Sequence, residues 1–181
     1  PSPHMPCRIV NTEGEECAIG EEGELQFKGD YLLLEYLNRP EATREVYTED
    51  GWLHTGDQGY WREEGTITLV GRLSDMFKSG GYNVYPREIE NLLESHPAIV
   101  IAAVVGIPDK RFQEVGAAFL VLSPEHQNAD VAEIQAFCKQ QLANYKVPKT
   151  ITIMAELPIL PVGKVDKVAL KKIAIQQSAS E

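Results

Sequence analysis

Residues 99–107 read Ile-Val-Ile-Ala-Ala-Val-Val-Gly-Ile, a run without one polar side chain. A stretch that apolar and that rich in β-branched residues is a strand buried on both faces, so it demands one layer of structure above it and another below. The surrounding sequence offers candidates for both. Pro86 to Ser95 reads as a helix, with Pro in the first turn, Glu88 and Glu90 at the positive end, and Ile89, Leu92 and Leu93 on one side. His96-Pro97 stops it. Gly116 to Leu122 is a second buried strand, and Thr150 to Met154 a third. Asp130 to Asn144 is a helix capped by Asn128 or Asp130, with Val131, Ile134, Cys138 and Leu142 inward, and Asp166 caps a last helix through Ile175. This alternation predicts a small α/β domain, three or so strands packed against helices.

The chain ahead of this region has a different texture. Cys7–Val10 is a short strand followed by a turn at Asn11-Thr12-Glu13-Gly14, and Gly23 to Gly29 alternates at period two as a half-buried strand does. Asn38 to Val46 is a short helix with Pro40 near its start. Trp52-Leu53-His54 and Gln58-Gly59-Tyr60-Trp61 are two further short strands, and Glu63-Glu64-Gly65 turns into Thr66–Val70. Short strands without a long helix predict a small β-barrel or meander. The expected fold class is therefore α+β. Residues 1–73 form a β-barrel-like subdomain, 74–175 a small α/β domain with a short central sheet, and 176–181 a disordered tail, with the boundary at Leu73–Ser74.

Composition bounds the function. Of the 181 residues 43% are hydrophobic, enough for a packed core, and the net charge of -10 argues against a nucleic-acid partner. An anionic ligand would have to be met by a few placed cations rather than by the overall field. Cys7, Cys17 and Cys138 form no C-x-x-C pair and suit a reduced, cytoplasmic compartment. The longest apolar run, Ala98 to Val105, is too short for a transmembrane segment. The chain begins Pro-Ser-Pro-His without an initiator Met, as a cut fragment would.

Three short stretches carry chemistry. Asp57 follows Thr55-Gly56 and is expected on a turn, where its carboxylate can accept two hydrogen bonds, as many as the cis-diol of a ribose offers. Arg72 follows Gly71 at the end of a strand and brings a rigid fork of donors suited to ribose oxygens or phosphate. Gly80-Gly81 lies between Phe77-Lys78-Ser79 and Tyr82-Asn83-Val84. It predicts a two-residue hairpin with positive φ and a tip without side chains, where a narrow ligand can pass the backbone. His54 is expected to be a packed strand residue rather than a base, and no His or Cys cluster has metal-ligand spacing.

The order of these elements resembles the adenylate-forming superfamily, which holds acyl-CoA synthetases, peptide-synthetase adenylation domains and luciferases. Thr55-Gly56-Asp57, the element from Gly71-Arg72 to Glu88-Ile89-Glu90, and Leu157-Pro158-Ile159-Leu160-Pro161-Val162-Gly163-Lys164 occur in the family's order. The resemblance implies the C-terminal portion of an AMP-forming acyl-CoA synthetase, with a mobile C-terminal domain. Its substrates would be ATP, a carboxylic acid (a fatty acid foremost) and CoA. Asp57 and Arg72 would then hold the ribose, and Lys164 would be the catalytic lysine bridging the substrate carboxylate and the α-phosphate. Ser74, where the family commonly has Asp or Lys, would be the hinge. Gly80 and Gly81 would line the pantetheine path, with Lys78 and Ser79 beside them, although Lys78 reads equally as a strand-edge charge. Lys167 stands where the family commonly has Arg or Lys. Arg87, Lys110, Arg111, Lys146 and Lys149 are candidates for the CoA phosphates or plain surface cations. The family's phosphate loop, adenine site, acyl pocket and most of the Mg2+ site lie upstream of residue 1, so residues 1–181 alone are expected to be inactive. A carrier-protein-loading adenylation domain and a non-catalytic interaction module remain alternatives, and a homodimer stays open.

Overall fold

A computed structural model describes residues 5–178, which fall into two compact units dividing between Ser74 and Asp75. The first unit is an antiparallel meander of β1 (Cys7–Val10), β2 (Gly23–Phe27), β3 (Leu53–Trp61) and β4 (Ile67–Arg72). A short helix, α1 (Pro40–Glu45), lies in the β2–β3 connection. The sheet is open, with β1 and β4 as its edges, which corrects the expectation of a barrel. Closure needs the first and last strands to meet with matched tilt and stagger, and four short strands leave those edges apart. The two short strands expected at Trp52–His54 and Gln58–Trp61 are one strand, and Asp57 lies within it rather than on a turn. Gly56, at φ +70°, mimics a turn signal in the sequence, while a bulge between Gln58 and Gly59 keeps the strand paired.

The second unit begins with a 3-10 turn's last residue, Asp75, and a hairpin of β5 (Phe77–Ser79) and β6 (Tyr82–Val84). Then come α2 (Pro86–Glu94), β7 (Ile99–Asp109), β8 (Gln113–Leu122), α3 (Val131–Gln141), β9 (Thr150–Ile153) and α4 (Lys167–Ser178). The sheet has five strands rather than three, because the β5–β6 hairpin joins it. β8 pairs with β7 along one side. On the other it meets β5 at Gln113 and runs parallel to β9 from Ala117 to Leu120. Caps follow the sequence: the Asp130 carboxylate accepts from the Ala132 N–H at 2.8 Å, and Asp166 accepts from the Ala169 N–H at 2.9 Å. The last helix continues past Ile175 to Ser178, so the tail expected from Gln176 is helical for its first residues. Residues 179–181 lie outside the described residues.

The two-faced strand is realised. Ala102 and Val104 pack with Ile89, Leu93, Ile134 and Cys138, under α2 and α3. Ala103 and Val105 pack on the opposite face with Leu157, Leu170 and Ala174, under α4. Within the run Val100 and Ile101 depart, at 53% and 39% exposed. No helix among the described residues is long and apolar enough to cross a membrane.

Phe77 of β5 fixes how closely that hairpin approaches β7. A β-carbon built on Gly106 would lie 2.5 Å from Phe77 Cβ and Cγ. Gly106→Ala therefore overpacks the core and should cost about 1–3 kcal/mol. Urea unfolding followed by circular dichroism should show a lower midpoint with an unchanged slope.

Candidate functional site

In the first unit, Asp57 of β3 stands directly opposite Arg72 of β4. The Arg72 Nε–H donates to Asp57 Oδ1 at 3.0 Å, with the guanidinium side chain 59% and the carboxylate 30% exposed. An acceptor and a fan of donors thus sit side by side at a surface, a pairing matched to a vicinal diol. The segment before Asp57 is braced from β2. Glu24 Oε1 accepts from the Gly56 N–H at 3.1 Å, and its other oxygen lies 2.7 Å from His54 Nδ1 and accepts from the Gln26 amide at 3.1 Å. Thr55 Oγ1 donates to the Leu25 carbonyl at 2.6 Å and accepts from the Asp57 N–H at 3.0 Å. His54 is thus a strand residue tied to Glu24. Glu24 and Gln26 were invisible as site residues in the sequence. Period-two alternation marks both as outward polar positions, yet Gln26 is 2% exposed because His54 and Arg8 cover it.

In the second unit, Gly80 and Gly81 have φ of +59° and +88°, the combination of a type I′ hairpin turn that only small or αL-tolerant residues adopt without cost. The Gly80 N–H donates to the Phe112 carbonyl at 2.8 Å, which ties this tip to the tip of the β7–β8 hairpin. That second tip is shaped by Asp109, whose Oδ1 accepts from the Arg111 and Phe112 N–H groups at 2.8 Å. Those two backbone hydrogen bonds, from Phe112 first, hold the Asp109 carboxyl below its usual range. Between the tips and the 144–149 segment lies a cavity of about 180 Å³ lined by Ser79, Phe112, Val115, Tyr145, Val147 and Lys149. Tyr145 stacks on Tyr82 with ring centroids 4.6 Å apart. The Phe112 ring lies 5.2 Å from the Arg111 guanidinium and 5.1 Å from the Lys149 ammonium.

The other candidates separate by what they touch. Lys146 is held by both oxygens of Glu88 at 2.7 Å, and Arg87 faces Glu94 at 3.5 Å and Glu90 at 3.7 Å. Lys78 is exposed, and its backbone N–H faces Glu114 Oε2 at 3.4 Å. Ser79 is 2% exposed, and Ser74 is exposed in the 3-10 turn Leu73–Asp75. Lys164 sits in a small hairpin rather than an open loop. Ile159 bridges Val165, the Leu160 N–H donates to the Lys164 carbonyl at 2.7 Å, and the Gly163 N–H donates to the Leu160 carbonyl at 2.8 Å. Its side chain is exposed. Lys167, three residues on, turns instead to Glu90 and Asp75. Among the described residues no three His, Cys, Asp or Glu side chains converge as a metal site.

Residues 88–164 match the family model described as the AMP-binding enzyme C-terminal domain. A 3-[(3aS,4S,7aS)-7a-methyl-1,5-dioxo-octahydro-1H-inden-4-yl]propanoyl:CoA ligase of Rhodococcus jostii is 43% identical over 88% of this chain and 31% of its own length. A long-chain-fatty-acid–CoA ligase of Bacillus subtilis is 43% identical over 91% of this chain and 29% of its own. The solved o-succinylbenzoate CoA synthetase of Bacillus subtilis, in complex with its acyl-adenylate intermediate, superposes with a TM-score of 0.85 at 37% identity, over 93% of this chain and 34% of that one. The chain spans about a third of the length of the curated relatives it matches.

The Asp57–Arg72 pair is too exposed to serve stability, whereas the Glu24 brace is not. Arg72→Ala should shift the unfolding free energy by less than about 1 kcal/mol. Glu24→Ala strands the Gly56 N–H and leaves Gln26 and His54 with one partner fewer each, and should cost about 1–3 kcal/mol. Both tryptophans, Trp52 and Trp61, lie in this unit, so urea unfolding read by their fluorescence separates the two outcomes.

Proposed function

The chain belongs to the AMP-binding, adenylate-forming enzyme family, and we propose on that premise that it is the C-terminal part of an AMP-forming acyl-CoA synthetase of the cytoplasm. In the full-length enzyme a carboxylic acid attacks the α-phosphorus of ATP and pyrophosphate leaves. The thiol of CoA then attacks the acyl carbon and AMP leaves. The observation that carries this reading is the cavity beside the Gly80–Gly81 turn. Its lining combines Ser79 at the foot of the side-chain-free tip, an apolar wall and the Lys149 cation, with Arg111 against the Phe112 ring, on a chain whose net charge is -10. A ligand with a thin flexible arm and an anionic aromatic head fits that combination, and CoA has both.

Each residue then has a task. Asp57 accepts from the ribose hydroxyls, and Arg72 donates to the ribose or its phosphate. Lys164, a point charge on a long stem, meets the oxygens that gain charge as the carboxylate and α-phosphorus join. Its short hairpin holds the backbone of that stem in one place. Ser74 is the hinge about which the C-terminal domain turns between half-reactions, exchanging Lys164 for the Gly80–Gly81 turn at the reacting atoms. Ser79 and Lys78 flank the pantetheine arm. Lys110, Arg111 and Lys149 are the cations available to its phosphates, since Lys146 and Arg87 face carboxylates. ATP arrives with Mg2+, and no residue of this chain is assigned to the ion.

In the full-length enzyme, Lys164→Ala should slow acyl-adenylate formation by on the order of 10²-fold, the effect of losing one preorganised donor. It should leave thioester formation from supplied acyl-adenylate intact. Pyrophosphate release and thioester appearance, measured on one preparation, test this; equal losses in both would count against the assignment.

Gly81→Leu should do the reverse, blocking thioester formation while pyrophosphate is still released. A β-carbon at Gly81 meets nothing within 4 Å, so at that atom the folding cost is the strain of positive φ. Gly81→Asn, which tolerates positive φ, is the control for that strain. Normal thioester formation by the leucine variant would remove CoA from this turn. Thioester formed on a phosphopantetheinyl carrier protein but not on CoA would turn the reading to a carrier-loading enzyme.

A further inference from the structure

Lys167 opens α4, and its ammonium lies 2.7 Å from Glu90 Oε1 and 3.2 Å from Asp75 Oδ2. Glu90 is 4% exposed, and the same oxygen accepts from the Val104 N–H at 2.9 Å. A carboxylate so buried persists only among donors. One cation therefore gathers α2 through Glu90, β7 through the Val104 bond, and the residue that follows Ser74. Lys167 also stands at the foot of the Lys164 hairpin. The Asp166 N–H donates to the Pro158 carbonyl at 2.8 Å, and Leu170, one turn into α4, is fully buried. The arm to Asp75, whose side chain is 35% exposed, adds little to stability. Its effect is geometric.

We propose that Lys167 is a positioning residue. It clamps the Lys164 hairpin to Glu90 and Asp75, so that the hairpin and the first residues of the C-terminal unit move as one body. Any rotation at Ser74 then reaches Lys164 without slack at the hairpin. The clamp requires a cation, because two carboxylates share it; Arg87 faces the other oxygen of Glu90 at 3.7 Å, so a neutral side chain of the same reach removes the ionic link between the two carboxylates rather than the charge balance of Glu90. The catalytic consequence rests on the reading of Lys164 above, whereas the clamp itself does not.

Amide hydrogen exchange on the 181-residue chain tests it directly. The probes are the Leu160, Gly163 and Asp166 amides, which donate the hairpin's backbone bonds, with the Ala118 and Leu120 amides of β8 as controls. Lys167→Gln should speed exchange at the three hairpin amides by about tenfold or more and leave the β8 amides unchanged. Lys167→Arg should restore protection. The double variant Lys167→Gln/Glu90→Gln removes the buried charge together with the cation, and its hairpin should still exchange fast. Parent-like hairpin protection in both neutral variants overturns the proposal, and so does acceleration spread evenly through β8. If the half-reaction assays on Lys164 fail while the exchange result holds, the catalytic reading falls and the clamp stands.

Discussion

Covering both faces of β7 and β8 is the constraint from which the C-terminal unit follows. Alternate residues along these strands feed two separate cores, one with α2 and α3, the other with α4. Neither core forms unless the chain crosses from one side of the sheet to the other. The segment after β9 makes that crossing, because Leu157 must be buried on the α4 side before the helix can seat Leu170 and Ala174. The Lys164 hairpin is the connection left between those two anchors. Its position is thus a by-product of packing: two buried leucines set where an exposed ammonium stands. The hairpin tips beside the cavity have a similar origin. β5 can pair with β8 only where Gly106 and Gly116 leave room for the Phe77 ring.

Much of this was legible because it is local. The β-branched run 99–107, the Pro that opens α2, the Asp caps of α3 and α4 and the paired glycines each declare their backbone state through the residue itself. The shortfalls are long-range. Gly56 looked like punctuation because its φ is positive, but pairing with β4 on one side and the Glu24 brace on the other carries the strand through it. Gln26 looked solvated because alternation assigns it outward, and only the register that sets His54 opposite it reveals its burial. The openness of the first sheet depends on whether two edges meet, which no single strand encodes. The family motifs pointed to Asp57, Arg72 and Lys164 as a set. The partners that Lys167 finds in Glu90 and Asp75 lie too far off in sequence for any spacing rule to find.

Charge is handled sparingly in a molecule of net charge -10. Several cations are consumed internally: Lys146 by Glu88, Arg87 by Glu90 and Glu94, Lys167 by Glu90 and Asp75, and Lys171 by Glu114. Arg111 and Lys149 instead lie against Phe112, a residue of the cavity wall. A cation over an aromatic face keeps its charge available to an anion while its orientation is fixed. That arrangement fits the CoA-phosphate site proposed above, which would have to attract an anion against the field of the rest of the surface.

The rim of that cavity is fastened by main chain. The Gly80 N–H meets the Phe112 carbonyl, and the Lys149 N–H meets the Gly116 carbonyl, both at 2.8 Å. Neither bond asks anything of the side chains that face inward. The frame is therefore separable from exposed lining such as Asn144, whereas Val115 and Val147 are anchored in the two cores and Tyr145 packs against one of them. For an engineer this marks Asn144 as the lining position that can be varied first without touching either core.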